Sequence, residues 1–163
     1  MKNLILLIGL LIFNSCSTDS NKSNDAVNID NGVTIFLKSI EGNNLLNTTN
    51  YNSNAFKIYY KINNENIEIN NPNNDFPRNF YINNESNPIS MKLFLNHSVT
   101  EEYPITLIEW NTNDTDTIKT YFRRGIENNT DYEICEKIWL NDVLIWDIST
   151  ANGLTEREIT ILK

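Results

Sequence analysis

The chain contains 163 residues, 40% of them hydrophobic, and carries a formal net charge of −8 at pH 7. That length accommodates one globular domain of ordinary size together with short additional segments. The acidic balance argues against nucleic acid as a partner, because nucleic-acid binding depends on Lys and Arg side chains that neutralise phosphates.

The first fifteen residues have the pattern of a bacterial export signal. Lys2 supplies a positive start, an apolar run covers 4–13, and the small Ser15 stands just before Cys16. The run is shorter than the roughly 20 apolar residues that a membrane-spanning helix needs. A buried helix of the fold is the alternative, but an amphipathic helix would place polar residues within such a run. The pattern therefore predicts a signal peptide over 1–15.

The end of this segment, Phe13-Asn14-Ser15-Cys16, resembles a lipobox, after which lipoprotein signal peptidase cuts. It is similar to the looser lipoboxes of Bacteroidota lipoproteins, although Phe13 and Asn14 depart from the usual Leu and Ala or Ser. Ordinary signal-peptidase cleavage therefore stays open as the alternative. The resemblance implies that Cys16 carries lipid, palmitate included, and that the outer membrane is the location, since Ser17 is not the Asp that retains enterobacterial lipoproteins at the inner membrane. Acyl chains hold a protein at a bilayer through about 0.8 kcal/mol per buried methylene.

Residues 16–31 are expected to form a lipid-anchored polar tether. The segment has almost no large apolar side chains, so it cannot bury enough surface to offset the entropy of ordering it. A coil of roughly 15 residues reaches about 20 Å, enough to hold a domain clear of lipid headgroups. Removal of 1–15 takes away Lys2 and changes the net charge from −8 to −9.

From Val33 onward, apolar and polar residues alternate with the period of a β-strand. Clusters rich in Asn, Pro and Asp separate the alternating segments and have the composition of turns. The segments predicted as strands are 33–37, 56–62, 66–70, 79–82, 89–95, 103–110, 116–122, 132–140, 143–148 and 158–162. Short strands at this spacing are typical of a sandwich or a barrel. We predict one all-β domain over 32–163, a single antiparallel β-sandwich of about 8–10 strands.

Four segments of this domain resemble small uncharacterised Bacteroidota lipoproteins. They are Glu41-Gly42-Asn43-Asn44-Leu45-Leu46-Asn47, Lys57-Ile58-Tyr59-Tyr60, Asp114-Thr115-Asp116-Thr117-Ile118-Lys119 and Trp139-Leu140-Asn141-Asp142-Val143-Leu144. The resemblance covers nearly the whole mature domain and implies an immunoglobulin-like sandwich at the cell envelope. It carries over no established activity.

Catalytic and metal sites have weak support in the sequence. His97 is the only imidazole, and its neighbour Ser98 is adjacent in sequence, which is not the arrangement of a Ser–His pair. A solvated loop histidine is the favoured interpretation. Asp114 and Asp116 lie in an oxygen-rich loop, but this loop lacks the glycine and the bidentate Glu of an EF-hand. A plain hairpin is favoured over a calcium site, so we predict no cofactor and no metal.

Three further features have simple interpretations. Arg123-Arg124 could bind a carboxylate or a phosphate, but a solvated turn is favoured. Asp116-Thr117-Ile118 is similar to the acceptor of Bacteroidota O-glycosylation at Thr117, and an ordinary strand start is favoured. Cys135 is expected to be a buried small hydrophobe, since lipidation of Cys16 would leave it without a disulfide partner.

The segments 132–140 and 143–148 are predicted to form a hairpin closed by Asn141-Asp142, since these residues tolerate the positive φ of tight primed turns. The predicted pairs on one side are Leu140–Val143 and Ile138–Ile145, and those on the other side are Trp139–Leu144, Lys137–Trp146 and Cys135–Ile148. Glu136 would face Asp147 near the rim. We expect the second side to be partly covered, with Lys137 over the Trp146 ring, and we name Trp139, Trp146, Lys137 and Leu144 as candidate ligand contacts.

The leading hypothesis is a non-enzymatic envelope module that binds a protein or a glycan through loops or an aromatic sheet face. The alternative is a structural or assembly accessory of an envelope complex without its own ligand, and an enzyme ranks third. A contiguous exposed aromatic patch favours a binder over an accessory. A deep pocket with convergent polar groups would favour an enzyme.

Overall fold

The computed structural model describes residues 27–151 and 156–163. The expected signal peptide, the lipid-bearing Cys16 and residues 16–26 of the expected tether lie outside the described residues. Within the described ranges, no helix is long and apolar enough to cross a membrane.

The described chain is built from β-strands, and eleven are defined. They are β1 (Val27–Asp30), β2 (Gly32–Lys38), β3 (Lys57–Ile62), β4 (Glu65–Glu68), β5 (Phe80–Asn83), β6 (Ser90–Phe94), β7 (Ile105–Asn111), β8 (Asp114–Glu127), β9 (Thr130–Leu140), β10 (Val143–Asp147) and β11 (Glu158–Leu162). Each strand predicted from the alternation of apolar residues is present, with ends shifted by a few residues. The largest shift is in β8, which starts before and ends after the predicted segment 116–122.

The strands form two sheets that pack face to face as a sandwich. The seven-stranded sheet has the order β1-β9-β8-β7-β3-β4, with β10 also paired to β9, and the four-stranded sheet has the order β11-β2-β6-β5. The prediction of an all-β sandwich is confirmed. The prediction of purely antiparallel strands is wrong, because β1 runs parallel to β9 and β11 runs parallel to β2. No tight hairpin joins either strand to its partner, so nothing local imposes an antiparallel direction.

Residues 27–30 are a strand and not tether, which corrects the predicted domain boundary at 31/32. They pair in parallel with 131–134 of β9. Val27 and Ile29 give the segment only two apolar positions among Asn and Asp, too few to stand out from the preceding polar run. A contact that holds this segment in the fold comes from a residue far away in the sequence. Asp30 accepts two hydrogen bonds from Arg157, of 2.6 and 2.9 Å.

The core lies between the two sheets. Alternate residues of β2 are buried, as the period-two pattern predicts. The buried hydrophobic side chains of the four-stranded sheet are Val33, Ile35, Leu37, Phe80, Met91, Leu93, Ile159 and Ile161, and those of the seven-stranded sheet are Ile58, Ile108, Trp110, Ile118, Phe122, Cys135 and Ile138. Because each inner face is occupied in this way, any binding surface on the sheets is confined to their outer faces and edges.

Several asparagine residues lie in tight turns. Positive φ angles occur at Asn63-Asn64 between β3 and β4, at Asn128-Asn129 between β8 and β9, and at Asn141-Asp142 between β9 and β10. Asn and Asp adopt this left-handed region more readily than other non-glycine residues. Three two-residue turns therefore fix the hairpins that build the seven-stranded sheet.

Candidate functional site

The β9–β10 hairpin follows the predicted register only near its turn. Asn141 and Asp142 have φ angles of 48° and 67°, and Leu140 pairs with Val143, as predicted. The Trp139–Leu144 pair is also confirmed. Beyond Leu144 the register shifts by one residue at a bulge, which is the feature that the sequence analysis missed.

The bulge at Ile145 overturns the remaining predicted pairs. Trp146 lies opposite Ile138, and Asp147 lies opposite Lys137. The predicted pairings of Ile138 with Ile145 and of Lys137 with Trp146 are therefore wrong. An extra residue in one strand moves every later side chain to the other face.

The same shift moves Glu136 away from Asp147 and Cys135 away from Ile148. Glu136 is instead the extra residue of a second bulge, in which Phe122 pairs with Cys135 directly after Tyr121 pairs with Lys137. The backbone N–H of Ile148 donates to the Glu136 carbonyl oxygen at 2.9 Å. The bulges in the β8–β9 and β9–β10 pairings thus set which side chains reach the outer face.

Trp146 consequently lies on the core side of the sheet. It packs against the buried cluster, and the Arg157 guanidinium lies 5.3 Å from its ring centroid. The predicted cation–π contact of Lys137 with Trp146 is wrong, since the Lys137 ammonium lies 3.2 Å from Asp147 Oδ2. Arg157 is 2% exposed and also donates from Nε to the Cys135 carbonyl oxygen at 2.9 Å. Trp146 is thereby separated from the other three candidate contact residues.

Trp139 lies on the outer face of the seven-stranded sheet among other aromatic side chains. Its ring centroid is 5.9 Å from that of Tyr103, at 78° between ring planes, and Tyr103 is 5.9 Å from Tyr121. We call Tyr103, Tyr121 and Trp139 the outer aromatic cluster. Tyr103 is 44% exposed, and Leu144 beside Trp139 is 47% exposed. The cluster is a contiguous aromatic surface that solvent reaches.

Strand register explains how these side chains meet. Across β8 and β9, Lys119 pairs with Trp139 and Tyr121 pairs with Lys137, so all four share the outer face. The Lys119 ammonium lies 5.6 Å from the Trp139 ring centroid. Sequence alone missed Tyr121 and Tyr103, because their contribution depends on β8 being the neighbour of both β7 and β9.

Tyr103 is held in place by the residue that follows it. The Pro104 carbonyl oxygen accepts hydrogen bonds from the Thr120 backbone N–H at 3.0 Å and from Thr120 Oγ1 at 3.1 Å. Pro104 and Thr120 are both buried. The segment that carries Tyr103 is therefore fixed against β8, although Tyr103 itself lies just before β7.

Two clefts share Tyr103 as a wall. The larger, about 450 Å³, is lined by Glu102, Tyr103, Tyr121, Glu136, Lys137 and Trp139. The smaller, about 90 Å³, lies toward β3 and is lined by Lys61, Asn64, Glu101, Tyr103 and Ile105. Each cleft combines apolar wall with at least one lysine and one glutamate, which suits a ligand that has both an apolar face and hydrogen-bonding groups.

The Asp114/Asp116 hairpin holds a lysine. The Lys163 ammonium lies 2.6 Å from Asp114 Oδ1 and 2.7 Å from Asp116 Oδ2. Asp116 also accepts hydrogen bonds from Trp110 Nε1 at 2.7 Å and from Asn141 Nδ2 at 2.8 Å. Across 27–151 and 156–163, no group of three or more His, Cys, Asp or Glu side chains is placed to hold a metal ion. The Lys163 ammonium thus pairs with both carboxylates of the loop that was considered as a calcium site.

These contacts change the pKa of both partners. Burial by itself raises the pKa of Asp116, but hydrogen bonds from Lys163, Asn141 and Trp110 together bring it below the usual 3.8. Burial by itself lowers the pKa of Lys163, and its hydrogen bonds to Asp114 and Asp116 bring it above the usual 10.5. Both groups are held in their charged forms. Thr117, next to Asp116 in the middle of the sheet, donates its backbone N–H to Asn141 Oδ1 at 2.9 Å.

The remaining candidate groups are paired within the fold. His97 Nδ1 lies 2.9 Å from Glu133 Oε2, and Arg124 Nε lies 3.7 Å from Oε1 of the same carboxylate. Arg123 Nε donates to Glu136 Oε1 at 2.5 Å. The prediction that Arg123-Arg124 forms a solvated turn is wrong, because both residues lie within β8, where long strands keep them beside acidic residues of β9.

Cys135 is buried, as predicted. Burial raises the pKa of its thiol to about 12, which keeps it protonated at neutral pH. A thiol in this state is a poor nucleophile, so Cys135 serves as a packing residue between β9 and the four-stranded sheet.

No protein-family model, curated protein or solved structure matches this chain.

Proposed function

We propose that this chain is a lipid-anchored binding module of the bacterial envelope that recognises a protein or a glycan without catalysing a reaction. The outer aromatic cluster is the observation that carries the proposal. Large rigid aromatic side chains supply contact area at low entropic cost, which is why binding surfaces use them. On the sandwich they are left open to solvent where an inert surface would carry small polar residues.

The polar groups beside the cluster support binding over chemistry. Glu136 is paired with Arg123, Lys137 with Asp147 and Lys119 with Asp142 at 2.9 Å. Groups held in such pairs orient a ligand by hydrogen bonding. A general acid or base, in contrast, needs a carboxylate free to exchange its proton with the ligand, and Glu136 is held by Arg123.

Anchoring at the outer membrane through Cys16 and an immunoglobulin-like form of the sandwich are part of the proposal. Support for the first is the lipobox-like Phe13-Asn14-Ser15-Cys16, and support for the second is the sandwich of two sheets. Because β1 begins at Val27, the first strand starts at most about 40 Å from the lipidated residue even if the intervening chain is fully extended. The domain would then lie close to the membrane surface.

Anchoring is tested by producing the full chain in a Gram-negative host and partitioning the membranes with detergent. We expect the wild-type chain in the detergent phase and the Cys16→Ala chain in the aqueous phase or unprocessed. Cys135→Ala is the matched control and should partition like wild type. Cys16→Ala chain that remains with membranes after a high-salt wash contradicts lipid anchoring.

Binding is tested by applying the full chain with Cys16→Ala to an array of oligosaccharides and to an array of envelope-protein peptides. We expect signal on one of them, reduced at least tenfold by Tyr103→Ala or Trp139→Ala. Tyr81→Ala removes an exposed aromatic ring from the other sheet and should leave binding unchanged. If both arrays stay blank, or if Tyr103→Ala binds like wild type, the binding function is rejected in favour of an assembly accessory.

A further inference from the structure

The two clefts beside Tyr103 lie next to each other on the outer face of the seven-stranded sheet. Tyr103 walls the larger cleft toward β8 and β9 and the smaller cleft toward β3 and β7. Neighbouring strands lie about 4.8 Å apart, so β3 to β9 covers about 14 Å. A surface of this length with an exposed ring near its centre is suited to an extended ligand, not to a single small molecule.

The charges of the surface indicate a ligand without net charge. Lys61 and Glu101 line the smaller cleft, and Lys137, Glu102 and Glu136 line the larger one. Carboxylates accept hydrogen bonds from hydroxyl groups and ammonium groups donate to them, so this set satisfies hydroxyls in both roles. A polyanion would meet three carboxylates on a chain whose net charge is already −8.

The sheet itself disfavours a peptide at this place. Ile105 pairs with Lys119, and Lys119 pairs with Trp139, so the backbone groups beneath the outer aromatic cluster are bonded within the sheet. An extended peptide binds a sheet by adding to a free edge, where unpaired N–H and C=O groups receive its backbone. Laid on the face, a peptide would bury its own backbone N–H and C=O groups without hydrogen-bond partners, which disfavours binding.

A folded protein is also a poorer fit than a sugar chain. The centre of a protein interface is depleted of charged residues. Here, Lys119 lies against Trp139, and glutamates line the clefts on either side of Tyr103. Aromatic rings directly beside charged hydrogen-bonding groups instead match a pyranose, which has an apolar C–H face and a rim of hydroxyls.

We propose that the outer aromatic cluster binds a neutral oligosaccharide. This inference rests on the proposed binding function and specifies the class of its ligand. Tyr103 stacks on a sugar ring at the centre, and the clefts on its two sides receive the hydroxyls of the neighbouring rings. Trp139 and Tyr121 form the floor of the larger cleft. The ring of Tyr103, not its hydroxyl, supplies the central contact.

The proposal is tested by native electrophoresis of the full chain with Cys16→Ala in gels that contain a polysaccharide. The probes are a mixed-linkage β-glucan, a xylan, a galactomannan, a soluble α-glucan and the anionic alginate. We expect at least one neutral polysaccharide to retard the protein and alginate not to. Titration with its oligosaccharides should give an affinity that rises from one sugar unit to three.

Variants separate ring stacking from general damage. Tyr103→Ala should weaken binding at least tenfold, Tyr103→Phe should bind within about twofold of wild type, and Tyr81→Ala should match wild type. Lys61→Met, in the smaller cleft, should weaken binding of the longest oligosaccharide but not of the shortest. Thermal midpoints of all variants are measured alongside. Trp139→Ala, which removes another ring of the outer aromatic cluster and should also weaken binding at least tenfold, maintains the test if Tyr103→Ala unfolds.

Retardation by alginate alone, by none of the polysaccharides, or equally by wild type and Tyr103→Ala overturns the neutral-oligosaccharide proposal. If the peptide array binds the chain in a Tyr103-dependent manner while all gels stay blank, the glycan proposal fails and the binding function stands. If the peptide array is blank as well, both fail together.

Discussion

The β9–β10 hairpin carries two tryptophans that the fold uses in different ways. Trp139 lies on the outer face beside Tyr103 and Lys119, half-buried and reached by solvent. Trp146, seven residues further on, packs on the core side under Arg157. Each ring has a cationic side chain and apolar side chains around it, and the cation is Lys119 at Trp139 and Arg157 at Trp146. The difference arises from one bulged residue. It divides the region into an inner side that packs against the core and an outer side that we propose binds a ligand.

The inner side should respond most strongly to loss of a charge partner. Asp30→Ala leaves the buried Arg157 guanidinium without its two carboxylate hydrogen bonds and removes the side-chain link between β1 and Arg157. We expect the free energy of unfolding, measured by urea denaturation, to fall by about 3 kcal/mol. Asp75→Ala removes an exposed carboxylate and should change stability by less than about 0.5 kcal/mol.

A double variant sharpens the same point. Replacing Asp30 and Arg157 together by Leu removes both charges, so no uncompensated ion is left buried. It should be less destabilised than Asp30→Ala alone. The opposite order would mean that the ion pair is not what makes β1 part of the fold.

A second inner-side pair gives the domain a defined pH dependence. The pKa of Asp116 is below 3.8 in the fold, so its stabilisation is complete above that pH and is lost as the pH falls through the folded value. The pKa of Lys163 is above 10.5, so its contribution is complete below that pH and is lost as the pH rises through the folded value. Urea midpoints should therefore decline below about pH 4 and above about pH 10.5.

Asp116→Asn tests the acid part of this dependence. The variant should be less stable at pH 7 by about 2 kcal/mol, because Lys163 loses one of its two carboxylates in a partly buried position. Its stability should also change less between pH 4 and pH 2 than that of wild type. An acid slope as steep as the wild-type slope would assign the effect to other carboxylates.

The turn between the two tryptophans connects the inner and outer sides. Asn141 has a φ of 48° and donates from Nδ2 to Asp116 at 2.8 Å. Asn141→Ala should cost about 1–2 kcal/mol, from the left-handed backbone and the lost hydrogen bonds. Asn141→Gly relieves the backbone but still lacks the side chain, so its loss should be smaller. Asn129 also has a positive φ, of 61°, but lies in an exposed turn, so the loss of stability in Asn129→Ala measures the backbone contribution by itself.

A structural feature of this chain could be predicted where the residues that determine it are close together in the sequence. Alternation gave the strands, and Asn141-Asp142 gave the turn and the two pairs next to it. The bulge at Ile145 leaves no pattern in the sequence, since Val143 to Trp146 is an unbroken apolar run in which either face could be the inner one. β1 was missed because its pairing partner β9 and the Arg157 side chain bound to Asp30 are both about a hundred or more residues away.

The candidate site shows the same limit. Trp139, Lys137 and Leu144 lie on the outer face as a hairpin argument alone predicts, whereas Trp146 does not. Tyr103 and Tyr121 were not named, because a single hairpin cannot specify which strand lies beside it. Neighbours in a sheet that are distant along the chain are set by packing of the whole core, which local pattern does not encode.

The smallest effect on stability is expected at the outer ring itself. Trp139→Ala removes a half-buried side chain on the face away from the core, so the free energy of unfolding should fall by less than about 1 kcal/mol. Trp146→Ala is the matched comparison from the same hairpin and should lose about 2 kcal/mol, because its ring packs against buried side chains and Arg157. Binding should show the reverse order, with a loss of at least tenfold for Trp139→Ala and little change for Trp146→Ala. Urea denaturation and gel retardation on the same protein preparations give both quantities. Equal stability losses at the two tryptophans would contradict the division into a stabilising inner side and a binding outer side.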